Sequence, residues 1–430
     1  MSRSMKDSGV AWIGEMPSEW EISRIKNLFE LRNERSYEAL EDVNLISLYT
    51  DKGVVQHSDL TETTGNKAVN ADGYKIVKED DIVVNIILCW MGAVGRSDYN
   101  GVTSPAYDVY KPYPNTNSKY FHYLFRTPQF NGECYRYGRG IMMMRWRTYS
   151  TEFKAINIPI PSVKEQQRIV DMLDKKCSEV DTLIANQHKQ IEKLKQYKQS
   201  LITEVVTKGL NPDVEMKDSD VEWIGKISKE HSVERLKFSL LSSMMYGANS
   251  SGTQNKDNSV RYIRITDITS DSKLKDDENN LYLPLDEAEG YLLNDGDVLF
   301  ARSGGTVGKS FIYYSKYGHS AFAGYLIKAE CDKNKLLPEY LFYYTQSSLY
   351  EAWKNMIFIQ ATIQNIGANK YSNMELVLMS VEEQRKIIEY LDEKCGKIDS
   401  LIAIKQQKIE KLNQYKKSII YEYVTGKKEA

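Results

Sequence analysis

The sequence repeats one 45-residue stretch closely. Val163 to Thr207, VKEQQRIVDMLDKKCSEVDTLIANQHKQIEKLKQYKQSLITEVVT, returns as Val381 to Thr425, VEEQRKIIEYLDEKCGKIDSLIAIKQQKIEKLNQYKKSIIYEYVT, with 24 of 45 positions identical. The offset is constant at 218, as in Glu165 and Glu383, Cys177 and Cys395, Tyr197 and Tyr415. An internal repeat constrains architecture before any other signal does. Neither copy contains Pro, and Gly396 is the one interior glycine. Apolar residues fall at Cys177, Val180, Ile184, Ile191, Leu194, Leu201 and Val205, matched by Cys395, Ile398, Ile402, Ile409, Leu412, Ile419 and Tyr423. Spacing that alternates between three and four is a coiled-coil seam. Gln187, Lys198, Lys405 and Lys416 interrupt it, and polar seam residues specify register and partner at some cost in stability. At about 1.5 Å per residue each copy makes a rod of about 67 Å. A helix of this kind needs an apolar partner, and the matched seams predict that the copies pair with each other.

A second repeat precedes each rod. Ser8 to Leu31, SGVAWIGEMPSEWEISRIKNLFEL, is echoed by Ser219 to Ser242, SDVEWIGKISKEHSVERLKFSLLS, at an offset of 211. Asn211-Pro212 marks the break between halves. The segments between, about 32–155 and 243–375, have diverged, yet both alternate short strand-like runs with turn residues. Such runs are Asn44 to Tyr49, Asp81 to Leu88 and Asp108 to Tyr110, then Tyr262 to Ile265, Asp297 to Ala301 and Tyr325 to Ala329. Each segment then reaches an aromatic helical stretch, Lys119 to Phe130 and Pro338 to Tyr350. This is an α+β pattern. Asp81-Ile82-Val83 aligns with Asp297-Val298-Leu299, and Gly92 to Ser97 aligns with Gly305 to Ser310. One scaffold with variable loops accounts for both halves.

Composition removes several function classes. A chain of 430 residues holds two or three domains. Charged residues make up 27% with a formal net charge of −2, which fits a soluble globular protein and argues against a uniformly basic DNA-binding domain. The longest apolar run, Ile82 to Val94, contains Asn85 and is too short to span a bilayer, and MSRSMKDSG lacks a signal-peptide core. Five dispersed Cys suggest a reducing compartment without a disulfide framework, and five scattered His form no metal-ligand spacing. The expected location is cytoplasmic, with no membrane association.

Three motifs carry possible chemistry. Ser303 to Ser310, SGGTVGKS, nearly spells a P-loop, but Ser303 stands where the first Gly is needed and FIYYSKYG after it reads as a strand. A tight turn presenting Lys309 is the better reading. Cys134 to Tyr149, CYRYGRGIMMMRWRTY, holds Arg136, Arg139, Arg145 and Arg147 among Tyr135, Tyr137, Trp146 and Tyr149 with no acid. Guanidinium forks suit guanine edges and phosphates, and aromatic rings stack on bases; the plain alternative is a loop whose arginines cover a small aromatic core. Its counterpart, Met356 to Lys370, offers Gln360, Gln364, Asn365, Asn369 and Lys370, and Asn and Gln suit adenine. Two copies of a scaffold with different contact chemistry would read two different sequences. No Ser/His/Asp set, GxSxG, nuclease-like acid pair or adenine-methyltransferase motif is present.

On these residues the chain resembles the specificity subunit of a type I restriction-modification system over essentially its full length. The carriers are Trp12, Ile13, Gly14, Pro17 and Trp20, the Pro159-Ile160-Pro161 approach, Glu165-Gln166 and Leu173-Asp174, repeated as Glu383-Gln384 and Leu391-Asp392. The departures are Met379 for Pro161, and Ser228 and His231 for Pro17 and Trp20. The resemblance implies two globular α/β target-recognition domains and two long helices forming an antiparallel coiled coil, with a pseudo-two-fold internal repeat. The expected division is 1–160, a first recognition domain; 161–209, a central spacer helix; 210–378, a second recognition domain; and 379–430, a C-terminal spacer helix. It also implies a non-catalytic chain that binds double-stranded DNA and two methyltransferase subunits, joined by restriction/translocase subunits. S-adenosylmethionine, ATP and magnesium would belong to those partners, and this chain would hold no cofactor or metal. Candidate DNA contacts are Arg96, Arg136, Tyr137, Arg139, Arg145, Trp146 and Arg147 in the first half. In the second they are Arg264, Arg302, Ser303, Lys309, Gln360, Gln364, Asn365 and Lys370.

Overall fold

The computed structural model describes residues 3–57, 72–141, 146–269, 271–275, 279–359 and 364–430. In chain order the α-helices among them are α1 (Ser118–Phe125), α2 (Pro128–Tyr137), α3 (Ser150–Ala155), α4 (Val163–Lys208), α5 (Leu285–Ala288), α6 (Pro338–Tyr344), α7 (Ser348–Ile359), α8 (Ala368–Ser372) and α9 (Val381–Val424). The chain forms two compact units, residues 1–187 with 406–430, and residues 188–405. Each unit thus takes one part of α4 and one part of α9.

The first unit is built on an antiparallel four-stranded sheet in the order Val94–Arg96, Ile82–Asn85, Tyr107–Pro112, Phe29–Leu31. The second unit repeats it with Ser310–Ile312, Val298–Ala301, Leu326–Ala329 and Met245–Tyr246. Strand Ile82–Asn85 is buried throughout, as is Val298–Ala301, which explains why both read as apolar runs rather than alternating ones. Asp81 and Asp297 open these strands. Each accepts a backbone N–H from three residues earlier, from Lys78 and Asn294 respectively, at 2.8 Å. Burial raises both carboxyls above the usual range.

The ladder corrects one alignment. Ser97 exchanges backbone bonds with Asp80 and Asp81 as Tyr313 does with Gly296 and Asp297. Arg96 therefore corresponds to Ile312, not to Lys309, and the two Gly-x-Val-Gly turns are offset by three residues. The expected helical stretch Lys119 to Phe130 is also two helices. Thr127 accepts from Phe130 N at 3.3 Å and Pro128 starts α2, a side-chain cap and a proline in the first turn, where each is favoured. Its counterpart breaks at Thr345–Ser347, where Ser347 Oγ accepts from Tyr350 N at 3.3 Å.

The repeated Glu-Gln pair proves to be the joint between head and helix. Gln166 donates to Pro161 O at 2.9 Å and accepts from Asn117 N at 3.1 Å, beside the start of α1. Gln384, fully buried, donates to Met379 O at 3.0 Å and Lys335 O at 2.7 Å, and accepts from Leu337 N at 2.9 Å, beside the start of α6. Glu165 accepts from Trp20 Nε1 at 2.9 Å, and Glu383 lies 3.1 Å from His231 Nε2. The replacement of Trp20 by His231 thus keeps a ring nitrogen facing the same carboxylate. Gln384→Leu strands one donor and two acceptors in the interior, so we expect a loss of about 2–4 kcal/mol, seen as a lower unfolding midpoint. The loss should exceed that of Gln166→Leu, which breaks fewer contacts; equal, small losses would refute this account of the joint.

The seam packs within each unit. In the first, Cys177 and Val180 are buried, Ile184 is half-buried, and Ile419 and Tyr423 are buried. Asp181 accepts from Lys416 Nζ at 2.6 Å, while Ile169 and Leu173 share a core cluster with Ile419 and Val424. Residues before Asp181 therefore meet residues after Lys416, so the helix segments are antiparallel. In the second unit Lys198 donates to Asp399 at 2.8 Å and Lys405 to Gln190, again antiparallel. There Ile191, Cys395 and Ile398 are buried, and Leu194, Leu201 and Ile402 are half-buried; Ile409 and Leu412, on the α9 segment of the first unit, are half-buried too. Lys198 and Lys416 pair with Asp399 and Asp181, related by the 218-residue offset. Two of the four polar breaks are thus reciprocal ion pairs, which reward one register over neighbouring ones.

Candidate nucleic-acid interface

In the first unit the Arg-rich run leaves α2, and a short backbone bridge between Arg139 and Arg147 returns the chain at 2.9 and 3.0 Å. Thr148 N then donates to Ile86 O at 2.8 Å, tying the loop to the end of the central strand. Trp146 stacks on Tyr135 with centroids 4.8 Å apart and donates Nε1 to Tyr135 O at 3.0 Å. Trp90, in the turn after the same strand, meets Tyr135 edge-on with ring centroids 5.7 Å apart. A side chain at Gly138 would approach Trp146 Nε1 to 2.5 Å, so glycine is needed for the stack to close.

The arginines are arranged unequally. Arg136 lies over Tyr137 at 4.7 Å and pairs with Glu133 at 2.6 Å, with its side chain 63% exposed. Arg139 lies over Tyr149 at 5.8 Å, pairs with Glu152 and is 69% exposed. Each keeps N–H donors facing solvent beyond its one carboxylate. Tyr137 and Arg147 are half-buried, and Arg145 lies outside the described residues. Arg96 is different. Its side chain is 14% exposed and sits among Asp80 at 2.6 Å, Glu79 at 3.9 Å, Asp98 and Ser118. Those acids consume its donors, so it ties the sheet to α1.

In the second unit two loops join side by side. Ser303 and Asn365 form a backbone bridge, and Ile366 N donates to Arg302 O at 2.9 Å. The near-P-loop is a single 3-10 turn, Gly304–Thr306, running into strand Ser310–Ile312. It therefore lacks the helix N-terminus that would hold a phosphate. Lys309 is half-buried beside that turn, Gln364 and Lys370 are exposed, and Gln360 lies outside the described residues. Arg264 is spent on Asp267 at 2.8 Å, where it caps a short turn. Arg302 stacks over Tyr246 at 4.8 Å. Trp90 and Tyr246 were not among the residues singled out from sequence. Both precede or approach a glycine, in Trp90-Met91-Gly92 and Tyr246-Gly247, and an aromatic next to a required glycine is the signal that could have found them.

Among the described residues no group of three or more His, Cys, Asp and Glu could hold a metal ion, and no helix is long and apolar enough to cross a membrane. The five cysteines are free and buried.

Two copies of one scaffold, each joined to a seam helix by the same Gln and each bearing a loop cluster of different chemistry, match a known family. Its profile, described as the type I restriction modification DNA specificity domain, matches twice, over residues 17–196 and 247–414. The chain belongs to this family. It is similar to the type I restriction enzyme MjaVIII specificity subunit of Methanocaldococcus jannaschii, with 23% identity over 431 residues, covering 96% of this chain and 93% of that protein. It is also similar to the EcoKI specificity subunit of Escherichia coli, at 24% identity over 281 residues, covering 64% of this chain and 58% of the relative. A chain solved in work on complex assembly and conformational transition of the type I R-M system shares the fold, with a TM-score of 0.69 at 15% identity, covering 95% of this chain and 98% of that one. As a specificity-family chain it is read as a recognition subunit rather than an enzyme.

Proposed function

We propose that this chain is the non-catalytic DNA-recognition subunit of a type I restriction-modification complex, and that each head reads one half of an asymmetric split site in double-stranded DNA. The observation that carries the reading is the repeat with unlike loops: an aromatic stack ringed by Arg136 and Arg139 in one unit, and Arg302, Ser303, Gln364 and Asn365 in the other. Identical heads would favour a palindrome; unlike heads favour two different half-sites. The heads correspond to residues 1–160 and 210–378, and helices 161–209 and 379–430 set the gap. Those helices also dock two methyltransferase subunits. Exposed Leu183 and Tyr415 in the first unit, and Tyr197 and Leu401 in the second, support that docking, since large apolar side chains on a paired helix want cover. S-adenosylmethionine, ATP and magnesium belong to the methyltransferase and restriction/translocase subunits, and the complex works in the cytoplasm.

Single-molecule methylome sequencing of cells expressing the chain with its partners should show adenine methylation at one split site with unlike halves. Methylation without sequence preference would refute the proposal. A protein-binding scaffold is the competing reading; it predicts that exchanging residues 134–149 leaves the methylated site unchanged.

A further inference from the structure

Arg302 is the arginine whose setting is least explained by the fold. It directly follows the central strand Val298–Ala301. Its backbone is fully used: its N–H donates to Tyr325 O at 3.0 Å and its carbonyl accepts from Ile366 N at 2.9 Å. Its side chain is not. Nε is buried and has no hydrogen-bond partner, and no carboxylate pairs with the guanidinium among the described residues. Elsewhere in this unit Arg264 pairs with Asp267, Arg235 with Glu375, and Arg261 with Lys275 O and Asn280.

What holds Arg302 is a ring. Its guanidinium carbon lies 4.8 Å above Tyr246. Tyr246 is itself pinned, because its hydroxyl accepts from Ala368 N at 3.0 Å and its backbone pairs with Ile327. Gly247, directly after Tyr246, lets the backbone pass close to Phe322 O, which a side chain there would meet at 2.3 Å. A guanidinium held over an aromatic ring by cation–π attraction has less rotamer freedom left to lose on binding. Around it stand hydrogen-bonding side chains: Ser303, Gln364 exposed, and Asn365, whose Oδ1 is likewise buried without a partner. Among the described residues these two adjoining loops thus hold two polar atoms without a hydrogen-bond partner, so this corner of the fold leaves hydrogen-bonding capacity unspent.

We propose that Arg302 is the specificity-determining residue of the second head and reads a guanine, presenting its fork to O6 and N7 in the major groove, with Tyr246 as its positioning residue. This rests on the function proposed above. A guanidinium fork matches the paired O6 and N7 acceptors of a guanine edge; a phosphate takes Arg bidentately too but is also served by the point charge of a Lys. The exposed Lys370 is suited to that second task. The first head has no equivalent: Ile86 holds the place of Arg302, because its carbonyl accepts Thr148 N as Arg302 O accepts Ile366 N. The guanine read by Arg302 is therefore expected in the second head's half-site.

The test uses the complete complex carrying wild-type chain, Arg302→Gln, Arg302→Lys or Tyr246→Leu, with methylome sequencing and binding to oligonucleotides substituted at each guanine. Arg302→Gln should cost on the order of 10–100-fold in preference for one guanine of one half-site, with the other half-site unchanged. Arg302→Lys should relax the same position, and Tyr246→Leu should weaken discrimination there by a smaller factor. If Arg302→Lys keeps full specificity while Arg302→Gln lowers affinity for all sequences alike, the residue contacts a phosphate and the proposal fails. If a wild-type split site persists unchanged in all three variants, the assignment of Arg302 fails while the recognition function stands. If the wild-type complex has no preferred site, the recognition function itself fails.

Discussion

Deleting residues 184–190 and 407–413 together should shorten the gap in the recognised DNA by about three base pairs and leave both half-sites unchanged. Each deletion removes one heptad, about 10 Å of helix at 1.5 Å per residue, against about 3.4 Å per base pair of DNA. The two segments are chosen so that Asp181 still meets Lys416 and Lys198 still meets Asp399, and whole heptads keep the seam in phase. Deleting 184–190 alone is the control. It displaces α4 against α9 by two turns, sets the lysines opposite wrong partners, and should abolish methylation rather than alter the gap. The readout is the methylated motif. An altered half-site in the double deletion, or an unchanged gap, would end the view that the helices set spacing.

Acid should destabilise the first unit through His122. Its Nδ1 accepts from Arg96 N at 3.1 Å, a bond that the protonated ring cannot accept. Enclosure, followed by the nearby Arg126, Arg96 and Lys119, lowers its pKa to about 3, with Asp174 opposing weakly. An unfolded histidine titrates near about 6.5, so below that pH the unfolded chain binds a proton that the folded unit refuses. The contribution to stability is complete above about pH 6.5 and is lost as pH falls from there toward about 3. The residue as a whole is half-buried, at a cleft beside Asp174 and Cys177 where solvent screens the charged ring, so about 1–2 kcal/mol is lost by about pH 4.5. His122→Asn keeps an acceptor for Arg96 N and has no proton to gain. Melting midpoints from about pH 7.5 to 4.5 should fall more steeply in the wild type than in His122→Asn. Parallel curves would show that the imidazole carries none of the acid sensitivity.

The sequence made the scaffold readable but not its loops. The buried central strands announce themselves as apolar runs, and the seam is visible because 3-4 spacing survives in both copies. The alignment of Gly92–Ser97 with Gly305–Ser310 misled because similar letters in a turn do not report ladder register; the paired Asp81 and Asp297 do. For Arg96 the sequence shows a charge without its neighbours. Asp80 and Asp98 close on it only once the strand folds back. Arg302 and Tyr246 are 56 residues apart, and nothing local indicates that a ring waits under that guanidinium.

What the sequence determined by itself is what repeats: the 218-residue offset, the helices, the matched polar seam positions and the Glu-Gln joints, all of which rest on periodicity and short-range preference. What the tertiary structure decided is which polar groups are spent and which are left over. That balance depends on strands distant in sequence meeting in one sheet, and it separates Arg96, surrounded by acids, from Arg302, held over a ring with no carboxylate partner among the described residues.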